Sequence, residues 1–214
     1  MIILTAGRSS LSFLEKQIIL HHLNNGGILA FPTDTLYGIG VKAGLSEAVD
    51  RLYKVKDRDN TKPLILLGST VAQFQAYLSN PKLLYHPLMN TYWPGPLTVI
   101  LPFEKKSELY FGQEDPDSIG IRIPDDTVLL DLFSFLDFPL LTTSANPSGS
   151  SPFREGRSVQ RWLLSRSTQE MIVLDGGEIE TTPSTVIQLL EDGRYRMIRE
   201  GVISKEELVS YFSF

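Results

Sequence analysis

The sequence predicts an α/β protein built on one mixed sheet, and three observations predict it. Short apolar runs bounded by glycine or proline, such as residues 28–31 and 97–101, alternate along the chain with segments of helical periodicity. No linker-like shift in composition divides the 214 residues, and no internal repeat occurs, so one domain over 1–214 is the expectation. The apolar share, 42%, is that of an ordinary globular chain.

In chain order, residues 2–4 suit a first strand. Ser12 and Glu15 form a capping box for a helix that carries Ile18, Ile19 and Leu23 and stops at Gly26-Gly27. Residues 28–31 then read as a buried strand that Pro32 ends, because proline has no N–H for a ladder. Residues 37–43 are a return strand with small residues on one face. Ser46 is the expected N-cap of a helix over 47–54. A charged loop over 54–63 leads to a strand at 64–67, and Ser69 or Thr70 caps a helix through Tyr77. Asn80-Pro81 opens another helix that runs to Trp93-Pro94-Gly95-Pro96.

Residues 97–101 form the next strand, and 104–117 read as an exposed acidic connection. A strand at 118–123, a helix at 127–136 and a strand at 140–143 follow. The last of these opens into the small polar loop Ser144-Ala145-Asn146-Pro147-Ser148-Gly149-Ser150, and the composition of 145–157 suits a mobile lid. A helix near 159–164 and a strand at 171–174 precede a hairpin, 186–190 and 195–199, around Glu191-Asp192-Gly193-Arg194. Ser204 and Glu207 make a second capping box for the last helix.

Composition removes several function classes. The net charge of −5 argues against a protein that grips a nucleic-acid backbone. There is no cysteine, hence no disulfide and no thiolate metal site. His21 and His22 are neighbours on a helix and point in different directions, so with His86 they suit structural or surface roles. No apolar run approaches the ~20 residues that span a bilayer, and the first residues lack the pattern of a signal peptide. A cytoplasmic address, with no membrane partner, is the default.

No phosphate-binding P-loop, no Rossmann fingerprint and no G-x-S-x-G elbow occurs. Polar groups instead collect at strand ends, the place where open α/β sheets bind ligands. Thr33, Asp34, Thr35 and Tyr37 follow the 28–31 strand; they form either a ligand site or a turn whose threonines satisfy their own backbone. Lys56, Arg58 and Lys62 offer a cationic cluster suited to phosphates, if they gather beside the sheet rather than standing solvated. Ser144 and Asn146, after Thr142 and Thr143, suit a phosphate, a ribose or a carboxylate, or an Asx-type turn. Arg122, inside an apolar strand, either snorkels to the surface or pairs with an anion.

Eight motifs, in order from about residue 10 to 205, carry a resemblance. They are Pro32-Thr33-Asp34-Thr35-Leu36-Tyr37-Gly38, Lys56-x-Arg58, Lys62-Pro63-Leu64, Trp93-Pro94-Gly95-Pro96-Leu97-Thr98, Arg122-x-Pro124, Ser144-Ala145-Asn146, Pro183-Ser184-Thr185-Val186 and Arg199-Glu200-Gly201. The set closely resembles the YrdC family of threonylcarbamoyl-AMP synthases, in its short single-domain form.

The resemblance implies a twisted mixed sheet with a concave, positively lined active-site face. It implies synthesis of threonylcarbamoyl-AMP and pyrophosphate from ATP, L-threonine and bicarbonate, to supply a downstream threonylcarbamoyl transferase that modifies tRNA. Lys56 and Arg58 would be the catalytic cations. Arg58, Lys62, Ser118, Ser144, Asn146 and Arg199 would face ATP, and Thr35, Tyr37, Arg122, Thr142 and Ser184 would face threonine. Arg122 would hold the amino-acid carboxylate by a bidentate pair. Magnesium would ride on the triphosphate, with no protein side chain assigned to it.

Two positions depart from the family pattern. Leu67-Gly68 stands where longer relatives often have a histidine, and Asp57 stands where glycine is common. The other readings are a double-stranded-RNA-binding or ribosome-maturation module, which would contact tRNA or duplex RNA, and a diverged paralogue with another nucleotide-dependent activity.

Overall fold

The computed structural model describes residues 2–5, 10–104, 117–166, 171–179 and 182–209. Among the described residues ten strands form one mixed sheet in the order β1-β8-β2-β3-β7-β4-β6-β5-β9-β10. They are β1 (Ile2–Thr5), β2 (Ile28–Phe31), β3 (Gly38–Lys42), β4 (Ile65–Leu67), β5 (Leu97–Pro102), β6 (Ser118–Arg122), β7 (Leu140–Ser144), β8 (Met171–Asp175), β9 (Thr185–Leu189) and β10 (Tyr195–Arg199). The helices are α1 (Phe13–Asn24), α2 (Ser46–Lys56), α3 (Pro87–Tyr92), α4 (Thr127–Phe135), α5 (Gly156–Arg166) and α6 (Lys205–Val209).

The two faces of the sheet have different fates, and the period of two along each strand decides which residue meets which. On one face Ala30, Val41, Leu66, Val99, Ile121, Leu141, Val173 and Ile187 pack beneath α2, α3 and α5, in one large buried cluster. On the other, α1 and α4 cover the end formed by β8 and β2, where Ile19, Leu23, Leu129, Leu132 and Phe133 meet Leu29, Phe31, Ile172 and Leu174. Beyond β3 that second face changes character. Gly40, Thr142, Ile65, Gly120, Ile100 and Gln188 lie directly opposite one another across six strands, from β3 to β9. Small and polar side chains there leave a hollow in place of a core. At Gly120 an added Cβ would come 2.8 Å from Ile65 Cγ2, so that floor has no room for a larger residue.

The element boundaries correct the sequence reading at four points. First, α2 reaches Lys56, two residues further than expected, so Lys56 is helical and not in a loop. The helix closes with Asp57 in the left-handed region (φ 52) and the Arg58 N–H bonded to Tyr53 O, a Schellman-type end. A glycine suits that backbone best, and the exposed Asp57 carboxylate is not among the cavity residues. Second, Leu45 holds the N-cap position of α2 and Ser46 is its first helical residue. Third, the turn after Thr70 is 3₁₀ over Val71–Tyr77. Fourth, the helix expected from Asn80 to Trp93 is two pieces, a 3₁₀ turn (Pro81–Tyr85) and α3, because Pro87 cannot sit inside one helix. Both capping boxes form as read, at Ser12–Glu15 and Ser204–Glu207. The acidic connection expected at 104–117 lies almost wholly outside the described residues.

Candidate active site

The hollow is a cavity of about 590 Å³. Six elements supply its polar groups. The β2–β3 loop brings Thr33, Thr35 and Tyr37, and β7 brings Thr142, Thr143 and Ser144. Strand β6 brings Ser118 and Arg122, β5 brings Thr98, and the ends of β9 and β10 bring Ser184 and Arg199. Arg58 closes the rim beside Pro63 and Leu64. The described lining residues include three guanidinium groups and no carboxylate.

Each of those guanidiniums is fixed by backbone. Arg58 donates to Lys62 O (3.4 Å) and Pro63 O (3.0 Å), which curls the loop after α2. Arg199 donates from Nε and Nη2 to Ser184 O (3.2 and 2.9 Å). Arg122, only 4% exposed, donates from Nε to Gly95 O (2.9 Å), from Nη1 to Thr35 Oγ1 (2.7 Å), and from Nη2 to Asp34 Oδ1. Burial pushes its pKa down and Asp34 opposes that shift. Of the two readings of Arg122 left by the sequence, the structure shows the anion pair, with Asp34, and not a snorkel to the surface. Asp34 offsets the charge of one of the three guanidiniums.

The hydroxyls are ordered in the same way. Thr33 Oγ1 accepts the Thr35 and Leu36 N–H groups (3.0 Å each), so the expected self-satisfied turn exists and still presents Thr35 to the cavity. Tyr37 donates to Gly177 O (2.8 Å) and accepts from Gly176 N (3.1 Å), and burial pushes its hydroxyl up to about 12. Ser184 Oγ and Thr98 Oγ1 lie 2.9 Å apart, and Thr142 donates to Ile65 O (3.2 Å).

Nine of the twelve residues singled out in the sequence line this one cavity: Arg58, Ser118, Ser144 and Arg199 from the nucleotide set, and Thr35, Tyr37, Arg122, Thr142 and Ser184 from the threonine set. Lys56, Lys62 and Asn146 do not. Lys56 is 1% exposed and donates to Ser144 O, Thr143 Oγ1 (3.2 Å) and Ser144 Oγ (3.3 Å). Burial, with the Arg58 charge adding to it, lowers its ammonium to about 7. Lys62 is exposed, and it is its carbonyl that serves the site, through Arg58. Asn146 turns into its own loop, donating to Pro147 O (3.1 Å) and Ser150 O (2.6 Å), while its buried Oδ1 has no partner. Sequence reasoning gave no role to Thr98, Ile100, Val186 or Ile198, which also line the cavity. Thr98 carried a signal, a lone hydroxyl at every-second-residue spacing from Ile100 in an apolar strand.

Fold and site together define an α/β protein whose open sheet face holds a cavity lined by three arginines and a set of hydroxyls. A family model, Sua5/YciO/YrdC, described as "Telomere recombination", matches residues 21–201, and the chain belongs to that family. A protein of Methanocaldococcus jannaschii is 35% identical over 201 residues, covering 92% of this chain and 88% of its own length. The threonylcarbamoyl-AMP synthase of Marinobacter nauticus is 29% identical over 191 residues, covering 89% of this chain and all of its own length. P. abyssi Sua5, solved with L-threonine, superposes with a TM-score of 0.84 at 27% identity; the match covers 99% of this chain but spans only 61% of that longer one. E. coli YciO shares the fold, with a TM-score of 0.80 at 22% identity over 96% of this chain.

Proposed function

We propose that this chain is an L-threonylcarbamoyladenylate synthase, a nucleotidyltransferase that converts ATP, L-threonine and bicarbonate to threonylcarbamoyl-AMP and pyrophosphate. The observation that carries the proposal is the gathering of nine residues, assigned to two substrates from the sequence alone, around one cavity. Its volume, about 590 Å³, falls in the range of small-molecule sites. Relatives named threonylcarbamoyl-AMP synthase and the threonine complex of a structural relative support the same reading.

The amine of threonine and bicarbonate give a carbamate, whose oxygen attacks the α-phosphorus of ATP and expels pyrophosphate. The protein's part is to position the reactants and to offset charge at the phosphates. Arg58 and Arg199 are the cations free to do so, since Arg122 is held by Asp34. Thr35, Thr142 and Ser184 surround the place for a small amino acid with a hydroxyl. Among the described residues no three His, Asp or Glu side chains gather into a metal-binding group, and magnesium enters as part of the ATP substrate.

The product would pass to a threonylcarbamoyl transferase acting on tRNA, in the cytoplasm. Among the described residues no helix is long and apolar enough to cross a membrane. Guanidiniums concentrated inside a cavity suit a small anion better than an RNA duplex, which needs a broad basic surface. The test is incorporation of labelled bicarbonate into an adenylate that requires both ATP and threonine. Wild-type protein makes it and Arg58→Ala loses at least about 100-fold in rate; a folded wild-type protein that makes none contradicts the proposal.

A further inference from the structure

We propose that Lys56 is the proton acceptor of this site, taking the proton of the threonine ammonium through the hydroxyl of Ser144. The inference rests on the synthase reading and goes beyond it, because it gives Lys56 a task other than offsetting phosphate charge.

The geometry points there. Lys56 Nζ is buried at the C-terminal end of α2 and is not part of the cavity wall. It reaches the cavity through Ser144, a lining residue whose Oγ is 3.3 Å away, while Thr143 Oγ1, at 3.2 Å, holds it from the α2 side of the strand. A cation meant to touch phosphate would face the ligand; this one stands behind a hydroxyl.

The partner set also serves both protonation states. An ammonium has three N–H groups, and a neutral amine has two and a lone pair. Ser144 O accepts in either state, while a hydroxyl accepts from the ammonium or turns and donates to the amine. No partner need be lost when the proton moves. The charged group that bears on Lys56 is Arg58, in the loop after its own helix, and β7 presents carbonyl and hydroxyl groups to it. That positive neighbour and the burial together bring its titration to about 7, where an amine can take and release a proton during turnover.

The ammonium N–H bond breaks toward Ser144 Oγ, and the hydroxyl's own proton joins the Lys56 lone pair. The freed amine forms its bond to the bicarbonate carbon; the C–OH bond breaks, and one amine proton leaves with that hydroxide as water. When the carbamate oxygen has bonded to the α-phosphorus and pyrophosphate departs, the Lys56 proton returns through the same hydroxyl to a pyrophosphate oxygen.

Two measurements on the full chain test this. The first is the pH profile of kcat/KM for threonine in wild type, Lys56→Arg and Ser144→Ala. Wild type should gain about tenfold per pH unit below neutrality and then level off. Lys56→Arg keeps the charge but cannot give up its proton, so near neutrality it should lose about 100-fold or more and recover only as alkaline pH deprotonates threonine itself. Ser144→Ala should lose the same acid limb. The second measurement is NMR of 13Cε-lysine protein, with the Lys56 signal identified by its loss in Lys56→Arg and expected to titrate near neutrality. A Lys56→Arg variant with an unchanged profile, or a Lys56 signal still that of an ammonium at about pH 9.5, overturns the relay alone. Wild type that releases no threonine-dependent pyrophosphate at any pH overturns the synthase reading instead, even where Lys56 titrates near neutrality.

Discussion

Replacing Asp34 by alanine isolates the contact that shapes the threonine side of the cavity. Arg122 is 4% exposed, and its Nη2 is held by Asp34, whose side chain is 14% exposed. Breaking a fully buried ion pair leaves an uncompensated charge and costs about 3–5 kcal/mol. Two features lower the figure here. Arg122 keeps Thr35 Oγ1 and Gly95 O as acceptors, and the substitution also removes the desolvation cost of the Asp34 carboxylate, whose Oδ2 lacks a partner. We expect Asp34→Ala to lose about 2–3 kcal/mol, or roughly 4–12 °C in Tm for a chain of this size. Asp34→Asn retains an oxygen for Nη2 and should lose about half as much. Urea unfolding followed by the fluorescence of Trp93 and Trp162 gives both numbers. An alanine variant within about 0.5 kcal/mol of wild type, or an asparagine variant as damaged as alanine, would refute the reasoning that the charge pair holds Arg122.

Three further outcomes follow from the same structure. Tyr37→Phe strands Gly177 O and the Gly176 N–H and should cost about 1–3 kcal/mol in the same unfolding assay. Gly201→Ala would put a Cβ 2.2 Å from Pro183 O, a backbone atom that cannot rotate away, so the turn after β10 must shift and carry Arg199 with it. About 1–3 kcal/mol of stability and a higher KM for ATP than for threonine, relative to wild type, are expected from unfolding and steady-state kinetics. Lys56 is depressed in the folded state, to about 7 from 10.5, so the unfolded chain binds more protons between those values and stability rises with pH there. Relative to Lys56→Met, wild type should gain up to about 1.4 kcal/mol per pH unit between about pH 7 and 9.5. Tyr37, raised to about 12, acts with the opposite sign only above about pH 10 and stays out of that window. Parallel curves for the two proteins would contradict the buried-amine account.

Local chemistry was legible in the sequence wherever it is set by neighbours along the chain. Strand β2 runs over Ile28–Phe31 as read, because Gly27 and Pro32 bound it, and Ser12 and Ser204 cap their helices because each has a glutamate three residues on. Positions set by distant contacts were not legible. The strand order cannot be read locally, since β1 pairs with β8 (Ile2 opposite Ile172) and β5 with β9 (Leu97 opposite Thr185). The strand-end rule found Thr35 and Ser184 but not the mid-strand Thr98 and Ile100, which reach the ligand because glycines at 40 and 120 keep the open face shallow. Arg122 read equally as surface-bound or anion-bound, and only the approach of the β2–β3 loop supplies Asp34. Asn146 has the residue type of a ligand group and of a turn-former alike, and here its amide closes its own loop.

The central claim is that one cavity brings a nucleotide and threonine together for adenylate formation. The most direct test is pyrophosphate release from MgATP with L-threonine and bicarbonate each present or omitted. Release that needs both co-substrates is the predicted result; release indifferent to threonine, or none from folded protein with all three present, would contradict the account.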